Sequence, residues 1–337
     1  LQSMDPGVLK LIDRSNIRPE TYTALQRTLR EQAISSYIEM IWPLPGETTS
    51  TFRKGLTELC RSRADTILVY PHLLLHNTPI YADRERLGIK VRRVPDDVAE
   101  AEVVVATNWV TESDYEEGVW LYYAMQCLYN LRGLYYLANY LDRSGQMAFG
   151  DLFAAAARFF MTRQDTAVCG FIAESVRGLG NYYLLNGGRL AHLVLHANRE
   201  EFDGLLADFV TSQPFWADPA ARAMFELDQL AKPYIYRERL RVPSYPFSHL
   251  HVKPGGRDNL EVTAPELVVD LLSDLDLAGQ PVRCPLLLRH PVRRKLPYLR
   301  HRTLEDNISY CQGMTLHLRE MLPVWTPIQE PSGQPAR

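Results

Sequence analysis

Between Tyr37 and Leu75 the chain runs through a short apolar strand, a Pro-Gly turn, an amphipathic helix and a second apolar strand, and no other stretch constrains the fold as much. Tyr37 to Ile41 (YIEMI) reads as a compact strand that Pro43 to Gly46 breaks. Thr48 to Ser62 reads as a helix with Phe52, Leu56 and Leu59 on its inner face and Thr49 to Thr51 available as caps. Thr66 to Leu75 (TILVYPHLLL) reads as a buried strand that runs into a loop at His76 to Pro79. Strands joined through a crossover helix pair in parallel, so the sequence predicts α/β architecture. Upstream, Asp5 to Ile12 reads as a short helix. Pro19 opens a longer one, with Tyr22, Leu25, Leu29 and Ala33 at helical spacing.

The composition is that of an ordinary globular protein: 337 residues, 46% hydrophobic and 23% charged, with a net charge of -3. It excludes a disordered chain, and the near-neutral charge argues against a general nucleic-acid binder. The length predicts two domains. No apolar core of a signal peptide precedes Gln32, and the most hydrophobic window, Val119 to Leu141, carries Gln126, Asn130, Arg132 and Asn139, so it reads as a buried helix rather than a membrane span. Cys60, Cys127, Cys169, Cys284 and Cys311 are an odd set without metal-ligand spacing and read as reduced thiols of a cytoplasmic protein.

The expected organisation is a barrel-like α/β part over residues 1–92, a connection over 93–111, a mainly helical domain with short β pieces over 112–322 and a loose proline-rich tail over 323–337. Ser113 with Glu116 fits a capping box opening the aromatic helix. Further helices are predicted at Asp151 to Met161, Val168 to Leu185, Ala191 to Leu195, Glu200 to Ser212 and Pro219 to Leu230. A last one is predicted at Pro265 to Leu275, capped by Thr263, and Phe247 to Val252 reads as β-like.

Lesser candidates for chemistry are few. His192 and His196 are spaced for one helical face but lack a third ligand, and His249 and His251 share one face of a β-like run. Arg289 to Arg302 is a basic run without interleaved stacking aromatics, read as a solvated face. Asn186-Gly187-Gly188-Arg189 reads as a turn. The sharpest signal is Glu39 to Thr48 (EMIWPLPGET), because the carboxyl end of a strand and the amino end of the next helix meet at one crevice, where α/β sheets bind ligands.

Taken in order, Leu1-Gln2-Ser3-Met4-Asp5-Pro6 with Leu9-Lys10 and Arg14, then Leu44-Pro45-Gly46-Glu47-Thr48, then His76-Asn77-Thr78-Pro79 resemble the carboxyl half of a radical S-adenosylmethionine (SAM) barrel. That family's fourth-strand region commonly reads QS followed by a helix, its fifth-strand turn GLPGET and its sixth-strand loop PGTP. Trp42-Pro43 and His76-Asn77 depart from the pattern. The forms LHNTP and YPHLLL are most similar to cobalamin-dependent radical SAM methyltransferases of natural-product pathways. The resemblance implies the carboxyl-terminal half of a radical SAM partial (β/α)6 barrel, about strands 4–6, followed by a mainly helical carboxyl-terminal domain.

By that resemblance Gln2 and Ser3 lie near the ribose of SAM, Arg14 meets its methionyl carboxylate, Ile41 lies against the adenine, Gly46 lets the turn close, and Asn77 and Thr78 border the crevice. The family's cofactors are SAM, a [4Fe-4S] cluster held by a CxxxCxxC loop, and cobalamin. A 5′-deoxyadenosyl radical abstracts hydrogen, and methylcobalamin supplies a methyl group. No cysteine triad of that spacing occurs here, and the chain begins at Leu1 with its first methionine at Met4, so a fragment lacking the cluster ligands and inactive alone is expected. The expected partners are a small-molecule substrate and a reductant supplying one electron, with neither nucleic acid nor a membrane. A radical SAM enzyme without cobalamin and a non-catalytic helical scaffold are the alternatives.

Overall fold

The computed structural model describes residues 2–16, 19–32, 34–95, 100–182, 186–233, 242–256, 259–277, 279–280, 282–289, 303–316 and 322–328. After α1 (Pro6–Leu11) and α2 (Pro19–Glu31), β1 (Tyr37–Trp42) pairs in parallel with β2 (Thr66–Pro71) through the crossover helix α3 (Thr49–Arg61). The architecture is α/β. Thr48 and Thr51 cap α3 reciprocally, and its stripe of Phe52, Leu56 and Leu59 is buried beneath the sheet. In β1 the residues alternate, Ile38, Met40 and Trp42 entering the core while Tyr37, Glu39 and Ile41 turn to the opposite face. β2 is buried along almost its whole length, which explains its unbroken apolar run.

Both edges of this strand pair are used. Ile41 N–H donates to Gln2 O at 3.1 Å, laying the amino-terminal residues beside β1. On β2, Ile67 N–H donates to Asn130 Oδ1 at 3.1 Å and Asn130 Nδ2 donates to Ile67 O at 2.8 Å, so one side-chain amide stands in for a neighbouring strand. Past α4 (Pro79–Ala82), β3 (Lys90–Val94) and β4 (Ala101–Ala106) form an antiparallel hairpin with Val103, Val104 and Val105 buried. Leu73 bridges to Val103, so the segment expected as a connection is itself paired with the end of β2.

The aromatic stretch departs from expectation. It is not one helix but α5 (Glu112–Met125), a π-helical turn at Gln126–Asn130, a sharp turn, and α6 (Tyr135–Arg143). At the break Arg132 takes φ 60°, and a Cβ on Gly133 would stand 2.6 Å from Cys127 O, so the chain doubles back too closely for a continuous helix. The cap of α5 also differs: it is Thr111 with Asp114, not Ser113 with Glu116. Thr111 accepts Asp114 N–H at 3.1 Å and donates its own N–H to Asp114 Oδ2 at 2.9 Å, two residues earlier than the sequence suggested.

Helices α7 (Phe149–Met161), α8 (Ala167–Arg177), α9 (Asn186–His192), α10 (Arg199–Thr211) and α11 (Pro219–Ala231) continue the helical part. Asn186 to Arg189, expected as a turn, is the first turn of α9. A Cβ on Gly188 would stand 2.4 Å from Ile308 O, so the glycine brings α9 against α13 (Leu304–Leu316). Strands β5 (His251–Pro254), β6 (Asn259–Thr263), β7 (Leu286–Arg289) and β8 (Val324–Pro327) make an antiparallel sheet in that order. Thr263 pairs with His251 and does not cap α12 (Glu266–Asp276), whose flanking residue is Pro265. Val324–Pro327, expected in a loose tail, is a strand because Trp325 is buried at 3% exposure. Buried residues from Tyr22 to Trp325 form one continuous core.

Candidate functional site

At the carboxyl ends of β1 and β2 a cleft of about 530 Å³ opens on the face opposite α3, lined by Gln2, Glu39, Ile41, Tyr70, His72 and Tyr182 among others. Strand alternation places Glu39 and Ile41 there, and the parallel register sets Tyr70 beside Ile41. The Tyr70 phenol is held above its ordinary pKa by partial burial and by the Glu39 carboxylate next to it. His72 is buried and hydrogen-bonded through Nδ1 to Pro43 O at 2.9 Å, while its N–H donates to Trp42 O at 3.1 Å. It ties the loop after β2 to the loop after β1. Burial lowers its pKa, and a neutral ring donating from Nδ1 keeps Nε2 as an acceptor.

The Pro-Gly turn closes through Glu47 N–H to Leu44 O at 3.0 Å, with Gly46 at φ 90°, where any Cβ would also press Leu11 at 3.1 Å. Trp42, which departs from the family pattern, is a core anchor. It stacks on Phe52 with centroids 4.5 Å apart, and its Nε1–H donates to Tyr115 O at 3.3 Å. Beneath the turn Glu47 is buried at 1% exposure. Its Oε1 accepts the Ser3 hydroxyl at 2.8 Å, and burial pushes its pKa up to about 8.

Of the residues singled out from sequence, Gln2 and Ile41 line the cleft. Ser3 is fully buried and committed to Glu47, and its Oγ accepts Asp5 N–H at 3.2 Å. Arg14 is exposed beyond α1, its N–H closing that helix on Leu9 O. Asn77 is exposed, and Thr78 caps α4 while its hydroxyl donates to Leu75 O at 2.7 Å; Leu75 in turn lines the rim. Glu39, Tyr70, His72 and Tyr182 were missed. Glu39 was legible, two residues before Ile41 on a strand; Tyr182 arrives from the helical part and carries no local signal.

The other candidates do not converge. His192 and His196 stand with ring centroids 5.1 Å apart, and among the described residues no group of three potential ligands could hold a metal ion. His249 Nδ1 pairs with the buried Glu226 at 2.9 Å, whereas His251 is exposed on β5. Arg289 ends β7, and the rest of the basic run lies outside the described residues. No described helix is long and apolar enough to cross a membrane.

No family model matches the chain. It is 31% identical over 197 residues to a 2-(S-pantetheinyl)-carbapenam-3-carboxylate methyltransferase of Streptantibioticus cattleyicolor, and 30% identical over the same length to the cobalamin-dependent radical SAM methyltransferase TokK of Streptomyces tokunonensis. In both cases the match spans 55% of this chain and 29% of the relative. Across that stretch the chain is similar to two methyltransferases, one of them cobalamin-dependent and radical SAM by name, and it spans under a third of the length of each.

Proposed function

We propose that the chain forms the carboxyl-terminal half of a radical SAM partial (β/α)6 barrel, about strands 4–6, with the helical part behind it, in a cobalamin-dependent C-methyltransferase of natural-product biosynthesis. Gln2 would stand on the fourth strand, β1 would be the fifth and β2 the sixth. The observation that carries this reading is the cleft, which unites Gln2 and Ile41 at the strand ends, on the face that α3 leaves open. The two relatives support the reaction class, and the carbapenam named for one of them supports a small organic substrate.

Bound SAM supplies the radical chemistry by which a hydrogen atom leaves the substrate carbon. The chain's own residues bind and orient. Ile41 offers an apolar contact for the adenine, and Gln2 offers polar groups for the ribose. His72, its tautomer fixed by Pro43, offers a neutral acceptor at Nε2. Arg14, Asn77 and Thr78 lie beyond the lining and are assigned to the carboxylate and the rim by resemblance. The described residues do not fit a [4Fe-4S] cluster: Cys60, Cys127, Cys169 and Cys311 are buried, and burial raises the pKa of each thiol. No step is therefore assigned here to a cluster or to cobalamin. Five free cysteines suit a reducing compartment such as the cytoplasm.

Calorimetric titration with SAM tests the site. Saturable binding that Ile41→Lys abolishes and Arg14→Ala weakens supports it. Absence of saturable binding, or full affinity in Ile41→Lys, removes the cleft from the SAM site.

A further inference from the structure

At the opposite end of the strand pair, where the chain enters β1 and β2, lies a second cavity of about 670 Å³. Arg30, Arg63 and Arg132 line it, against the carboxyls of Asp65 and Asp276. Arg132 is 6% exposed, turned inward by its left-handed backbone after the π-helical turn, and its guanidinium lies 3.6 Å from the Tyr135 ring centroid. Its Nε and Nη1 are shielded from solvent and donate to nothing among the described residues. Asp65 and Asp276 act on Arg132 through their charge, and each neighbouring group also has hydrogen-bond or ion-pair partners of its own. Arg30 Nη1 donates to the carbonyls of Ser62 and Arg63, and Arg63 pairs with Asp274. Asp65 accepts Ser36 N–H at 2.9 Å, and Asp276 accepts the Tyr136 hydroxyl at 2.6 Å.

The Arg132 guanidinium, nine-tenths buried and held against the Tyr135 ring, lines the cavity, and three arginines against two aspartates leave its wall with an excess of positive charge that favours an anion. The space is larger than an inorganic anion needs, and Leu275, Val324 and Trp325 give it an apolar wall. We propose that this cavity binds a small organic anion, a carboxylate or a phosphate ester, whose charged head meets Arg132 and whose apolar body lies along Leu275 and Trp325. The site is separate from the cleft at the carboxyl ends of the strands and does not depend on the function proposed for it.

The test is thermal unfolding of the whole chain with phenyl phosphate or benzoate, against sodium chloride at equal ionic strength. At ten times its dissociation constant the better probe should raise the midpoint by about 2 °C, saturably, and which probe binds more tightly identifies the head group. Arg132→Met should lose the shift. Arg30→Met, at the same wall, should bind at least about fivefold more weakly and serves if the first variant does not fold. No saturable shift with either probe would mean that water fills the cavity, and an undiminished shift in whichever variant folds would place the anion elsewhere; either result overturns the proposal.

Discussion

The carboxyl group of Asp228, on α11, takes the place of the missing cap of α6: its Oδ1 accepts Tyr136 N–H at 2.8 Å, and its Oδ2 accepts Leu137 N–H at 3.0 Å. Leu134, at the cap position, has no side chain able to do this. The helical part is thus joined across its interior by a polar contact between helices far apart in sequence. Asp228→Ala should lose about 2–4 kcal/mol, because two buried donors are left without acceptors. Urea denaturation measures it, and a loss under about 0.5 kcal/mol would show that α6 is capped by other means.

Gly118 and Trp42 form a matched pair. A Cβ on Gly118 would lie 2.4 Å from the indole, so Gly118→Ala should destabilise by about 1–3 kcal/mol. Trp42→Leu, which makes room, should make the second change much less costly. A double-mutant cycle checks this; additive losses would mean that helix α5 shifts freely to accommodate the methyl group.

Glu47 gives the fold a measurable pH dependence. Its carboxyl ionises near 4.5 in the unfolded chain and near 8 when buried, so the folded state keeps a proton that the unfolded state has released. Stability from this group is fully present below about 4.5, falls as pH rises and is lost above 8. His72, its pKa lowered by burial, works in the opposite sense below its ordinary 6.5, so the slope is read above that value. Asp228, also pushed up to about 8, contributes to the same window. The decisive comparison is therefore with Glu47→Gln, whose stability should fall by about 1 kcal/mol per pH unit less than that of the wild type between pH 6.5 and 8. Equal slopes in urea titrations would rule out the protonated carboxyl.

Asn130→Leu should cost about 2–4 kcal/mol, since it strands both the N–H and the carbonyl of Ile67. Hydrogen exchange at the Ile67 amide should accelerate more than at Met40, in the core-facing part of β1. Unchanged protection at Ile67 would assign the edge to other cover.

The strand, helix, strand core was legible because its signals are local: the compact apolar β1, the apolar run of β2 and the inner stripe of α3, although the cap of α3 is Thr48 with Thr51 and not a residue of Thr49 to Thr51 alone. The cleft was half legible. Ile41 and Gln2 came from motif order and Glu39 could have come from alternation, but His72 and Tyr182 depend on long-range packing. The same limit explains the misread elements. Gly188 looked like a turn until α13 was seen to lie against it, and the break at Arg132 looked like continuous helix because its apolar spacing persists through the turn. Trp325 sat in a proline-rich tail whose composition hid a strand that only β7 reveals.

The amide of Asn130 also gives the β1–β2 ribbon a polarity. At Ile67 the hydrogen-bonding capacity of the outer edge is already consumed by a side chain, which cannot pass the pattern on to another strand. A further parallel strand therefore meets a closed edge at Ile67 and finds its place past β1, along the line that Gln2 begins, while beyond β2 the same edge is already taken by the antiparallel pairing of His72 to Leu74 with β4.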